Sequence, residues 1–107
     1  AQMIETVGQN SYKIGSLDNT NAQYYLRIFA DDVPGVMADI TNKLAEKKIS
    51  IEAVTQHEPT NDNSPIPIVI ITNNVKDLLI KDVIRNIEKM KNIKDTVYSI
   101  RILSNDE

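Results

Sequence analysis

The hydrophobic period changes repeatedly between Tyr24 and Ile102, and the order of those changes restricts the fold more than any other feature of the chain. Tyr24, Leu26, Ile28 and Ala30 recur at every second position, which places them on one face of a β-strand. Val36, Met37, Ile40 and Leu44 then recur at helical spacing, with Asp39, Asn42, Lys43 and Glu46 opposite and Pro34-Gly35 at the entrance. Residues 49–56 alternate imperfectly, Ile49, Ile51 and Ala53 against Ser50, Glu52 and Gln56. The polar stretch Thr60-Asn61-Asp62-Asn63-Ser64 separates them from an almost unbroken apolar run over Ile66–Thr72, a hairpin loop between two strands. Val75, Leu79, Val83, Ile87 and Met90 line a second helix, and Tyr98, Ile100 and Ile102 alternate in a last strand over residues 97–102. The predicted order is βαββαβ.

Two interleaved right-handed β-α-β crossovers of this kind close into an α+β sandwich. It is the ferredoxin-like arrangement, an antiparallel sheet of order 4-1-3-2 with both helices on one face. The third strand is then central, in keeping with Ile68-Val69-Ile70-Ile71 being apolar on both faces, and the second is an edge carrying Ser50, Glu52 and Gln56. The face away from the helices is expected to expose some of Tyr25, Phe29, Val69 and Ile71, so a second copy or a covering domain is expected. Residues 1–23 are rich in Asn, Ser, Thr and Gly without sustained periodicity, and read as a linker, a hint that the chain was cut from a longer polypeptide. The domain proper covers residues 24–103, and residues 104–107 form a tail.

The same topology serves RNA binding, acyl-phosphate hydrolysis, metal carriage and effector sensing, so residues must decide between them. The net charge of -3 and the absence of long basic runs argue against nucleic acid, and residues 67–72 lack the stacking aromatics of an RNA-binding sheet. Without cysteine there is no thiolate metal site and no disulfide framework, as suits the cytoplasm. No segment approaches the roughly 18 apolar residues of a membrane span. The one histidine, His57, stands at the end of the edge strand beside a polar loop and reads as a solvated residue rather than a catalytic base. Neither a G-x-x-x-x-G-K-[ST] loop nor a G-x-G-x-x-G turn occurs, so no nucleotide cradle is present. No catalytic and no metal-binding residue is expected in this chain, and no cofactor.

The informative segment is Ala30-Asp31-Asp32-Val33-Pro34-Gly35-Val36-Met37-Ala38, which joins the first strand to the first helix. Backbone N–H groups at a helix start attract an anion such as an amino acid's carboxylate, and Gly35 would leave room for close approach. Asp32 or Asp31 could hold the same ligand's ammonium group. Equally, Asp32 could stabilise the turn and helix start while Pro34-Gly35 only shapes the entrance.

Asp32-Val33-Pro34-Gly35-Val36-Met37-Ala38-Asp39-Ile40 resembles the D-x-P-G-[VL]-[LM]-A-x-[IV] entrance of ACT domains, whose βαββαβ order is also the same. Tyr24-Tyr25-Leu26-Arg27, Ile49-Ser50-Ile51-Glu52-Ala53-Val54-Thr55-Gln56 and Pro67-Ile68-Val69-Ile70-Ile71-Thr72 resemble the version found at the C-terminus of homoserine dehydrogenases. The resemblance covers roughly residues 24–102, with Asn73 standing where that family commonly has histidine. It implies a regulatory module that pairs with a second copy through its second strand and binds an amino acid at the interface. Asp32, Val33, Gly35, Val36 and Met37 would meet the effector on one side, and Ile51, Glu52, Ala53 and Gln56 of the second copy on the other. For Ile51 and Ala53 the alternative is plain packing, and for Glu52 and Gln56 a solvated strand edge. Threonine is the first expectation for the effector, as the end product feeding back on homoserine formation, with isoleucine or methionine next. The parent chain would be an NAD(P)-dependent homoserine dehydrogenase. The competing reading is a structural dimerisation module that binds nothing.

Overall fold

Alternating side-chain burial sets the strands of the computed structural model, which describes residues 2–6, 21–58, 61 and 64–104. In chain order the elements are β1 (Gln2–Thr6), β2 (Asn21–Ala30), α1 (Val36–Glu46), β3 (Ile51–Gln56), β4 (Ile66–Thr72), β5 (Val75–Lys76), α2 (Asp77–Glu88) and β6 (Ile93–Ser104). The main sheet has the order β1-β6-β2-β4-β3, and β5 pairs with β2. With β2, β3, β4 and β6 taken as the four strands of the sandwich, this is the expected 4-1-3-2 order with one strand added beside the last.

On the face turned to the helices, Tyr24, Leu26, Ile28 and Ala30 of β2 are fully buried with Ile66, Ile68 and Ile70 of β4. Val36, Ile40 and Leu44 of α1 and Ile80, Val83 and Ile87 of α2 complete the core. Burying each Leu or Ile of this set contributes roughly 1.5–3 kcal/mol, set against chain entropy. The end of α1 has a specific stop. Ile49 N–H donates to the Leu44 carbonyl at 3.0 Å and Lys48 N–H to the Ala45 carbonyl at 2.8 Å, with Lys48 at φ 59. That is a Schellman ending, sealed by the buried pair Leu44 and Ile49.

Four differences from the sequence reading have physical causes. Residues 2–6, assigned to a linker, pair antiparallel with β6 from Gln2↔Ser104 to Thr6↔Ile100. Backbone hydrogen bonds make that pairing, and they leave no periodic signature. β2 starts at Asn21, because Asn21 and Ala22 pair with Lys76 and Val75 of β5. The rest of the assigned linker, residues 7–20, lies outside the described residues. Val75 therefore belongs to a strand pair and not to α2, whose buried stripe is Ile80, Val83 and Ile87, with Leu79 and Met90 packed at its margin. The alternating Tyr98, Ile100 and Ile102 lie opposite Arg27, Tyr25 and Gln23, on the face away from the helices, while Val97 and Ile93 are the buried residues of β6.

Candidate functional site at the β2–α1 loop and the β3 edge

The loop leaves β2 tied down at its first residue. Asp31 N–H donates to the Asn92 carbonyl at 2.8 Å, and the Asp31 carboxylate sits 3.5 Å from Lys94 Nζ. Val33 N–H then turns back to the Asp31 carbonyl at 2.9 Å, and Asp32, Val33, Pro34 and Gly35 are all exposed. Gly35 has φ 86, a left-handed conformation that a side chain strains, yet a Cβ built there meets nothing within 4 Å. Within the chain, glycine is required here by the backbone angle and not by crowding from neighbouring protein atoms.

No side chain caps α1. Val36 N–H bends to the Val33 carbonyl at 3.3 Å and Asp39 N–H reaches the Gly35 carbonyl at 2.9 Å, and neither Asp31 nor Asp32 makes a capping hydrogen bond to the helix start. An exposed carboxylate thus stands beside an uncapped helix N-terminus, donors for an anion next to an acceptor for a cation. The Val36 side chain is buried in the core, so only its backbone faces outward, while Met37 is half-buried beside it.

The β3 half of the expected site is arranged differently from the simple alternation. Ile51 pairs with Thr72 and Ala53 with Ile71, so the register shifts at Glu52. This bulge puts Ile51 toward the helices, half-buried, and Ala53 on the opposite, open face. Glu52 accepts a hydrogen bond from Gln23 Nε2, and the two line a shallow depression with Ala53, Ile71 and Ile102. Gln56 pairs with Ile68 and is exposed, and His57 is held by its N–H on the Pro67 carbonyl at 2.9 Å. Residues 52–56 are all exposed, Val54 by 46%.

Within one chain the two halves stay apart. Ala53 is level with Tyr25 through Ile71. The loop begins after Ala30, so residues 52–53 lie about 20 Å from Asp32 along the strands. Gln56, level with Ile28, is the expected β3 contact nearest the loop.

Two arrangements have no counterpart in the sequence reading. Beneath the sheet, Tyr24 donates its hydroxyl to Asp77 Oδ1 at 2.9 Å, and Lys81 Nζ pairs with Asp77 Oδ2 at 3.0 Å. Burial first, and the Asp77 carboxylate second, hold the Tyr24 phenol far above its ordinary pKa. On the open face the Arg27 guanidinium lies 5.8 Å from the Tyr25 ring and 5.7 Å from the Tyr98 ring, and donates to the Tyr25 hydroxyl. A charged residue in the middle of an apolar strand was the available signal. Among the described residues, no group of three or more His, Cys, Asp or Glu is placed to hold a metal ion.

A family model described as the ACT domain matches residues 24–91. The chain belongs to the ACT domain family. This ACT domain is 31% identical over 93 residues to a homoserine dehydrogenase of Pseudomonas aeruginosa, covering 87% of the chain and 21% of that protein. It is 37% identical over 82 residues to a homoserine dehydrogenase of Methylobacillus glycogenes, covering 77% and 20%. The crystal structure of a homoserine dehydrogenase from Thiobacillus denitrificans superposes with a TM-score of 0.70 at 33% identity, over 79% of this chain and 18% of that one. The chain spans about a fifth of the length of the curated relatives it matches. It is an ACT regulatory domain related to homoserine dehydrogenases.

Proposed function

We propose that this ACT domain is the amino-acid-sensing piece of a cytoplasmic homoserine dehydrogenase, that it works as a pair joined through β3, and that threonine is its effector. The observation carrying the reading is the separation of the two half-sites described above. Two copies of β3 paired antiparallel about a dyad run in opposite directions. The second copy's residues 51–53 then fall beside this chain's residues 55–57, at the end of the sheet where the β2–α1 loop lies. β3 is suited to this, being hydrogen-bonded to β4 alone among the described strands and bearing an exposed Val54.

In this arrangement the uncapped start of α1 receives the effector's carboxylate and Asp32 its ammonium, at the Val33, Gly35 and Met37 backbone. Residues 51–53 and Gln56 of the second copy close the other side. The effector favours one relative orientation of the two domains, and a coupling of about 1–3 kcal/mol is enough for a useful feedback response. The NAD(P) expected for the parent enzyme would be held elsewhere in a longer chain. Gly8, Gly15 and Gly35 are the three glycines present, too few and too scattered for a dinucleotide turn.

The test is isothermal titration of the purified dimer with threonine, isoleucine, methionine, serine and lysine, repeated with Asp32→Ala. The expected result is saturable binding of threonine at one or two per dimer, weakened about tenfold or more when the ammonium loses its partner. A stable dimer silent to all five would establish the competing reading, a structural dimerisation module.

A further inference from the structure

The open face of the sheet is too apolar to be left to water. Tyr25, Phe29, Val69, Ile71, Ile100 and Ile102 are each only half-buried there, and Tyr98 is 46% exposed. Pairing through β3 extends the sheet sideways and leaves this face uncovered. At its centre sits Arg27, between Val69 on β4 and Tyr98 on β6. No ion pair joins it to a carboxylate among the described residues, whose ion pairs are Lys81–Asp77, Arg85–Asp82 and Lys94–Asp31. Beside it a depression of about 430 Å³ opens between Tyr25, Phe29, His57, Pro67 and Val69.

We propose that this face packs against the remainder of a longer homoserine dehydrogenase chain, and that the packing surface inserts a carboxylate side chain that pairs with Arg27. The inference rests on the proposed function, because it takes its occupant from the four-fifths of the matched relatives that lies outside the aligned part. Charge selects the occupant further. Covering a guanidinium with apolar surface alone strands a buried charge, a heavy cost that a facing carboxylate removes. Stacking the face on a second copy about its centre brings two Arg27 side chains together in an apolar setting, which like-charge repulsion opposes. Tyr25 and Tyr98 hold the guanidinium between their rings, so it is presented with little freedom left to lose on pairing.

The experiment compares hydroxyl-radical footprints of the 107-residue chain and of the full-length polypeptide that carries it, without effector. Phe29 and Tyr98 are expected to be modified about fivefold or more slowly in the full-length protein, as for residues at the core of an interface. Full-length Arg27→Glu should return both to the rate of the short chain, while Arg27→Lys keeps most of the protection. Arg27→Gln, which adds no repulsion, controls for a folding defect through its circular dichroism and should fall between the two. Equal footprints in the short and full-length proteins overturn the proposal, as does protection that grows with concentration in the short chain alone. Protection untouched by Arg27→Glu removes the carboxylate. Effector titration of the short chain reads the sensor function separately. Binding with an open face defeats only the docking, and a covered face without binding defeats only the sensor.

Discussion

Two residues in left-handed backbone conformations flank α1, and they have opposite fates on substitution. Gly35 at φ 86 has open space around it, so Gly35→Ala adds no clash and its whole cost is backbone strain, about 1 kcal/mol. Lys48 at φ 59 already bears that strain at the Schellman position where glycine is favoured. Lys48→Gly is therefore expected to raise stability by up to about 1 kcal/mol, less whatever entropy glycine adds to the unfolded chain. Urea unfolding of both variants checks the pair, and a fall in midpoint for Lys48→Gly would refute the argument. The sequence marks Gly35 through Pro34-Gly35 but is silent about Lys48, because lysine carries no sign of left-handed backbone.

At the level of elements, β2 and α2 are joined by a polar contact under an apolar sheet. Tyr24 and Asp77 are 0% and 2% exposed, and their hydrogen bond pins the start of α2 to the centre of the sheet. The folded-state pKa of Tyr24 is raised, so the neutral phenol's contribution is complete below the unfolded value of about 10 and is lost as the pH rises beyond it. Unfolding by urea at about pH 9 and about pH 11 should show a fall in stability that is smaller in Tyr24→Phe. Equal falls in the two proteins would place the alkaline sensitivity elsewhere. Nothing in the sequence announces this contact. Asp77 reads as an ordinary first-turn acid, and only the packing of α2 on β2 turns it inward. The elements that were legible, β2, α1, β3, β4, α2 and β6, are those with an apolar run or a repeating apolar pattern in the sequence, even where, as in β3, it alternates imperfectly. β1 and β5 were not, since short edge pairings rest on backbone bonds that any side chain permits.

For the molecule as a whole, the expected pairing depends on the outer edge of β3. Val54 pairs with Ile70, yet it is 46% exposed because it lies near that edge. Val54→Lys brings two ammonium groups close across a β3 dyad, and is expected to convert dimers to monomers in sedimentation with the circular dichroism unchanged. A dimer that survives the substitution would place the interface away from β3. The candidate site was half visible in the sequence for a related reason. Its loop residues are contiguous and read directly, whereas the β3 residues depend on the bulge at Glu52, which puts Ile51 and Ala53 on opposite faces. Simple alternation places those two side by side.

The strand order also governs when this domain can exist during synthesis. β2, at the centre, needs β4 on one flank and β6 on the other, and β1 needs β6 as well, with Gln2 pairing with Ser104. The β4 flank can close once β4 is made, whereas the β6 flank waits until the 12 residues of β6 have cleared the ribosome, because contacts of such long sequence separation wait on chain closure. The nascent chain consequently carries one apolar flank of its central strand unpaired until β6 emerges, and a stop codon ahead of β6 leaves a product whose β2 has an open edge.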